Sequence, residues 1–139
     1  MIVVDASVLA NVIADDGPDG QLARSELRDA DGAAIPDLAD VETVAVLRKR
    51  WLAGELSARR FATAIDDLEE LDLQRYPTLP LMHRAYELRS NVTAYDAAYV
   101  ALAEALDAEL VTADSRLANA TGPRCPIRVL QPPGYGHNP

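Results

Sequence analysis

The chain opens with a short apolar run, Ile2–Val4, that leads directly into an acidic residue, Asp5. Consecutive β-branched residues without polar alternation predict a strand that is buried on both faces, as in a parallel sheet. Open α/β sheets bind their ligands at the carboxyl ends of such strands. Asp5 is therefore the first candidate functional residue, and the fold must cover both faces of its strand.

The rest of the chain alternates short apolar segments with amphipathic ones. Further strands are predicted at 33–36, 71–76, 109–113 and 127–130, and helices at 7–14, 21–28, 38–53, 58–71, 79–89, 93–106 and 115–118. Asp37 is the predicted N-cap of the third helix, and Gly54 its stop. Strands that alternate with helices predict a mostly parallel sheet between two helical layers, an α/β/α sandwich.

The length of 139 residues predicts a single domain, residues 1–130, followed by a tail, 131–139, that is rich in proline and glycine and expected to be mobile. No apolar run approaches the about 20 residues that span a bilayer, and no basic segment precedes the first strand, so neither a membrane span nor a signal peptide is predicted. The single cysteine, Cys125, fits a reducing cytoplasm. The net charge of −9 argues against a surface that attracts nucleic acid as a whole.

Four acidic residues occupy positions where apolar residues are expected. Asp5 and Asp114 each follow a buried strand, whereas Glu42 and Asp96 lie on the apolar faces of their helices. A buried carboxylate without a partner is costly, and four of them at one edge of the sheet would repel one another. A divalent cation would relieve this repulsion, and an all-oxygen ligand set favours Mg²⁺ or Mn²⁺.

Each of these acids also has a purely structural explanation. Asp5 and Asp114 are possible helix N-caps, and Asp96 stands at the third position of a capping box that Thr93 opens. Glu42 lies at the edge of its apolar stripe and can bend toward solvent. The sequence alone leaves both explanations open for all four residues.

Two hydroxyl residues near the strand ends, Ser7 and Thr112, are candidates to donate hydrogen bonds into the site, although capping and strand propensity explain them equally well. Other chemistries have weaker support. The two histidines, His83 and His137, have no partner at metal-ligand spacing. The sequence also has no glycine-rich phosphate loop and no recognisable nucleophilic serine or cysteine motif.

Four segments resemble, in order and spacing, the motifs of PIN-domain ribonucleases, in particular the VapC toxins of type II toxin–antitoxin systems: 3–10, 36–42, 93–103 and 110–117. The resemblance covers nearly the whole chain and implies a PIN-like fold. It also implies endonucleolytic cleavage of RNA, in which a metal-activated water attacks the phosphodiester. The acidic quartet of the family corresponds to Asp5, Glu42, Asp96 and Asp114, with Asp5 and Asp96 as direct ligands of Mg²⁺ or Mn²⁺. A homodimer and a cognate VapB-like antitoxin that blocks the site are implied as well.

Two other functions stay open at this point: a non-catalytic PIN-like module that binds protein or RNA, and a metal-dependent DNA nuclease or phosphatase that uses the same pocket. The presence of all four acids disfavours the first. Eight basic residues are candidate contacts for RNA phosphates: Arg48, Lys49, Arg50, Arg59, Arg60, Arg84, Arg89 and Arg116.

Overall fold

The computed structural model describes residues 1–132. It contains a five-stranded sheet in the order β3-β2-β1-β4-β5, in which every pairing is parallel. The strands are β1 (Ile2–Val4), β2 (Ala33–Pro36), β3 (Gln74–Tyr76), β4 (Glu109–Thr112) and β5 (Ile127–Val129). The predicted buried strand at the start of the chain is thus the central one. Residues 133–139 of the predicted mobile tail lie outside the described residues.

Helices connect the strands on both sides of the sheet. They are α1 (Ala6–Ala14), α2 (Pro18–Asp29), α3 (Leu38–Leu52), α4 (Ala58–Glu70), α5 (Met82–Glu87), α6 (Ala94–Ala105) and α7 (Ser115–Ala118), with a 3₁₀ turn at Leu79–Leu81. Right-handed crossovers place α1–α4 on one face and α5 and α6 on the other. Accordingly, α1 packs against α2, α3 and α4, whereas α6 packs against β1, β2 and β4. The predicted α/β/α sandwich is confirmed.

None of the helices within residues 1–132 has the combination of length and hydropathy that crossing a bilayer requires.

The direction of the chain connections reverses between β1 and β4. The chain moves outward from β1 to β2 and β3, then returns across the sheet to β4 and continues outward to β5. A reversal of this kind opens a crevice at the carboxyl ends of the two central strands. Asp5 follows β1 and Thr112 ends β4, so both residues lie at this crevice.

Asp37 occupies the predicted N-cap position of α3, but its side chain does not cap the helix. Asp37 has a helical backbone and makes no capping hydrogen bond; its carboxylate accepts hydrogen bonds from the amide and hydroxyl of Thr78, at 3.2 and 2.7 Å. The hydroxyl oxygen of Thr78 in turn accepts the amide proton of Leu38 at 3.1 Å. Thr78 therefore caps α3 from a position 40 residues later in the chain, which no local sequence pattern indicates.

Three predicted boundaries also differ. The strand predicted at 71–76 is limited to β3, because β2 offers it a partner only along Ala34–Pro36. The helix predicted at 21–28 begins earlier, at Pro18, since proline fits the first turn of a helix. The helix predicted at 79–89 divides into the 3₁₀ turn and α5; Pro80 within the turn has no amide proton to donate.

The helices α5 and α6 are joined by a bidentate ion pair. Arg84 donates from Nε and Nη2 to the carboxylate of Glu104 at 2.7 and 3.1 Å, and the amide of Arg124 donates to the same carboxylate at 2.7 Å. The side chains of Arg84 and Glu104 are 19% and 16% exposed. Burial raises the pKa of Glu104, but the hydrogen bonds from Arg84 and Arg124 outweigh it and lower the pKa below its ordinary value.

We expect Glu104→Gln to lower the free energy of unfolding by about 2 kcal/mol, because hydrogen bonds to charged groups are worth about 1.5–3 kcal/mol. The matched control is Glu87→Gln, which removes a more exposed carboxylate from the same arginine and should cost less than about 1 kcal/mol. Folding lowers the pKa of Glu104 below its ordinary value of 4.5. The stability that its carboxylate contributes is therefore complete above pH 4.5, and it is lost as the pH falls through the lowered pKa of the folded state. Urea unfolding at pH 7 and pH 3 measures both effects; equal losses in the two variants at pH 7 would contradict this assignment.

Candidate active site

Asp5 is a buried carboxylate at the carboxyl end of β1, with 5% of its surface exposed. Its Oδ1 accepts the amide proton of Val8 at 3.2 Å, which makes it the N-cap of α1, and the hydroxyl proton of Ser7 at 2.5 Å. Its Oδ2 accepts the hydroxyl proton of Thr112, also at 2.5 Å. Burial raises the pKa of Asp5, these hydrogen bonds partly offset the rise, and the charge of Asp96 adds to it.

The two hydroxyl groups that bind Asp5 also bind the chain beyond β4. Thr112 Oγ1 accepts the amide proton of Asp114, and Ser7 Oγ accepts that of Ala113, each at 3.0 Å. Ser7 and Thr112 therefore both donate to Asp5, and they also fix the position of the loop that carries Asp114.

Glu42 lies in the second turn of α3 and is partly buried. Its Oε1 accepts the hydroxyl proton of Tyr99 at 2.7 Å. Burial raises the pKa of Glu42; the Tyr99 hydrogen bond opposes the rise, and the charges of Asp96 and Asp5 increase it. The sequence pattern indicates Tyr99 only as part of the apolar face of α6. Its spacing of three residues from Asp96, which puts both on one side of the helix, is the signal that could have identified it.

Asp96 and Asp114, the other two predicted acids, lie at the N-terminal ends of two helices. Asp96 lies in the first turn of α6, where its amide donates to Thr93 Oγ1 at 3.2 Å. Burial and the charge of Asp114 raise the pKa of Asp96. Asp114 caps α7 by accepting the amide proton of Arg116 at 2.9 Å, and its two oxygens form ion-pair contacts with the Arg116 guanidinium at 3.2 and 3.0 Å. This hydrogen bonding lowers the pKa of Asp114.

The four carboxylates influence one another electrostatically. The charges of Asp5 and Asp96 raise the pKa of Glu42, and that of Asp114 raises the pKa of Asp96. Within residues 1–132, Asp114 pairs with an arginine, whereas no lysine or arginine forms a salt bridge with the other three acids. The structure therefore brings the four predicted acids into one negatively charged region at the crevice.

This region is not a preformed metal site. Among residues 1–132, no three aspartate, glutamate, histidine or cysteine side chains are grouped closely enough to hold a metal ion. Glu42 accepts a hydrogen bond from Tyr99, and Asp114 is paired with Arg116. The donor set nevertheless suits a hard divalent cation, because it consists of carboxylate oxygens and the burial of Asp5 and Glu42 disfavours their uncompensated charge.

A family model of the PIN domain matches residues 2–123. Ribonuclease VapC9 of Mycobacterium tuberculosis is 41% identical to the chain over 130 residues, which are 94% of this chain and 98% of that protein. The chain belongs to the VapC ribonuclease family of PIN-domain proteins. The family that the four sequence motifs predict is thereby confirmed.

Solved structures agree with the fold of this VapC-family chain. The sarcin–ricin loop cleaving toxin VapC20 of Mycobacterium tuberculosis aligns with a TM-score of 0.67 at 15% identity, over 85% of this chain and 93% of its own. A toxin–antitoxin complex from Klebsiella pneumoniae aligns with a TM-score of 0.63 at 16% identity, over 93% and 97%. At these identities the likeness concerns the fold, and the predicted PIN-like architecture is confirmed.

Two buried threonines of the VapC-family chain provide a matched test of the hydrogen bonds around Asp5. Thr112→Val removes a hydroxyl that both donates to Asp5 and accepts from Asp114, so we expect the free energy of unfolding to fall by about 1–3 kcal/mol. Thr43 is equally buried, and its hydroxyl has no hydrogen-bond partner within the described residues. Thr43→Val should therefore leave the stability unchanged or increase it. Urea unfolding compares the two variants, and equal losses would contradict the structural role of Thr112.

Proposed function

We propose that the chain is the toxin of a type II toxin–antitoxin system and an endoribonuclease that requires Mg²⁺ or Mn²⁺. The observation that carries this proposal is the cluster of Asp5, Glu42, Asp96 and Asp114 at the crevice where the strand order reverses, together with membership of a family whose relatives are named ribonucleases. Burial raises the pKa of Asp5, Glu42 and Asp96, and the charges of neighbouring acids add to the rise. The described protein groups therefore leave the negative charge of these three carboxylates uncompensated.

The acids have different tasks in this proposal. Asp5 and Asp96 would bind the cation directly, while Glu42 and Asp114 would complete its surroundings or orient water. A divalent cation supplies positive charge for the scissile phosphate and lowers the pKa of the attacking water. Thr112 and Ser7 keep the Asp5 carboxylate in one orientation, because each holds one of its oxygens.

The eight candidate phosphate contacts differ in availability. Arg84 is engaged with Glu104, and Arg60 donates to Asp16 at 3.0 and 3.1 Å. Arg116 is paired with Asp114, but its side chain is 90% exposed and, with Asp96 and Asp114, it lines a cavity of about 220 Å³. Because it lies beside two of the four acids, we assign Arg116 as the basic residue that meets an RNA phosphate at the site.

Asp5→Asn should reduce RNA cleavage to background while the protein remains folded. Asparagine keeps an oxygen that can cap α1 and removes a charge that repels its neighbours, so the change affects the site more than the fold. The matched control is Asp16→Asn, which removes an exposed carboxylate outside the cluster and should leave cleavage unchanged. Total bacterial RNA is incubated with each purified, antitoxin-free protein in Mg²⁺, in Mn²⁺ and in chelator, and the fragment ends are mapped.

Four outcomes would contradict the proposal. Full activity of Asp5→Asn removes that residue from the site. Cleavage that persists in chelator removes the cation. A folded wild-type protein that binds Mn²⁺ but cuts no RNA favours a binding module, and cleavage of DNA in place of RNA favours the DNA nuclease.

The partner that we propose is a VapB-like antitoxin, and its docking surface is the apolar groove between α3 and α4. The groove has a volume of about 730 Å³ and apolar walls that include Val41, Val44, Ile65 and Leu68. Val41 is 75% exposed although it is apolar, and a fold of this kind occurs in the toxin–antitoxin complex described above. The homodimer that the resemblance implies stays a prediction.

Val41→Glu should weaken antitoxin binding about tenfold or more, because burying a valine-sized side chain is worth about 1.5–3 kcal/mol. The control is Leu79→Glu, at an apolar residue that is 82% exposed but lies outside the groove. Isothermal titration with the purified antitoxin gives both dissociation constants, and circular dichroism checks the fold. Equal affinities in the two variants would place the antitoxin elsewhere.

A further inference from the structure

Tyr99 lies on α6 one turn after Asp96 and has no exposed surface. Its hydroxyl donates to Glu42 Oε1 at 2.7 Å. This hydrogen bond connects α6 with α3, and it therefore joins the two helical layers beside the candidate active site.

The burial of Tyr99 excludes direct contact between its hydroxyl and a substrate. A fully buried hydroxyl cannot touch an RNA substrate, so Tyr99 does not take part in the chemistry directly. An ionised carboxylate only accepts hydrogen bonds, so the hydroxyl is the donor in its contact with Glu42.

Glu42 depends on such a donor more than its neighbours do. Asp5 has three donors to its carboxylate, and Asp114 is paired with Arg116. Glu42 has a longer side chain and is repelled by the charges of Asp96 and Asp5. Without a fixed donor its carboxylate would be driven toward solvent, away from the other acids.

We propose that Tyr99 is a positioning residue: its hydroxyl holds the Glu42 carboxylate toward Asp5 and Asp96, where it completes the surroundings of a bound divalent cation. This inference rests on the proposed function, because it assumes that the carboxylate cluster binds a cation. Partners of metal ligands that act in this way typically contribute 10–100-fold to metal affinity or activity.

The first test is Tyr99→Phe, which keeps the ring in the core and removes only the hydroxyl. The control is Tyr95→Phe on the same helix, whose side chain is exposed. We expect Tyr99→Phe to weaken Mn²⁺ binding to the RNA-free protein by about 10–100-fold, and the Mn²⁺ concentration for half-maximal cleavage of total bacterial RNA to rise by the same factor. Tyr95→Phe should match the wild type in both. Electron paramagnetic resonance of free Mn²⁺ measures the affinity, and thermal unfolding checks the fold.

A second variant distinguishes positioning from a purely structural role without disturbing the core. Glu42→Asp keeps the charge but shortens the side chain by one methylene group, so that the carboxylate no longer reaches Tyr99. We expect the same loss of Mn²⁺ affinity as in Tyr99→Phe, and no further loss when the two changes are combined. Wild-type affinity of Glu42→Asp, or losses that multiply in the double variant, would overturn the proposal.

The outcomes separate the two proposals. If the wild-type protein binds Mn²⁺ and cuts RNA while Tyr99→Phe does both equally well, only the positioning role is overturned. If the wild-type protein neither binds Mn²⁺ nor cuts RNA, the proposed function fails, and the role of Tyr99 fails with it.

Discussion

The hydrogen bond between Thr112 and Asp5 is the contact on which the arrangement at the crevice depends. It joins the ends of the two central strands at the position where the chain connections reverse. A carboxylate buried this deeply is costly unless donors surround it. The structure supplies them from the first turn of α1 and from the last residue of β4, and the hydroxyls of Ser7 and Thr112 also fix the segment that carries Asp114. The same hydrogen bonds therefore stabilise this part of the fold and fix the geometry of the candidate site.

The structural and functional explanations of the acids, which the sequence presents as alternatives, apply to the same residues at once. Asp5 and Asp114 are both helix N-caps and members of the charged cluster. Capping fixes a carboxylate relative to the backbone, so a cap at the end of a parallel strand also fixes the direction in which its free lone pairs point. A capping pattern is thus no argument against a site residue in this fold.

Sequence reasoning identified the order of the strands and helices along the chain and the burial of the first strand on both faces, and it proposed the four acids, because each depends on neighbouring residues or on helical spacing. It missed contacts between residues that are distant in the chain. Thr78 caps α3 from 40 residues away, and Tyr99 binds Glu42 across 57 residues. Neither pair has a local signature, since a tyrosine on an apolar helix face or a threonine after a strand is ordinary. Capping of α3 by the Asp37 side chain was predicted wrongly for the same reason, because its carboxylate binds the distant Thr78 instead.

The pairing of β1 with β4 also has a consequence for synthesis on the ribosome. Asp5 and Thr112 are 107 residues apart in a chain of 139, and Asp114 follows later still. A nascent chain therefore exposes its first strand long before the partner that satisfies the buried carboxylate exists. Since domains fold as units when their distant contacts become available, the acidic cluster forms only after Asp114 has been synthesised. A chain interrupted before Thr112 carries no assembled site.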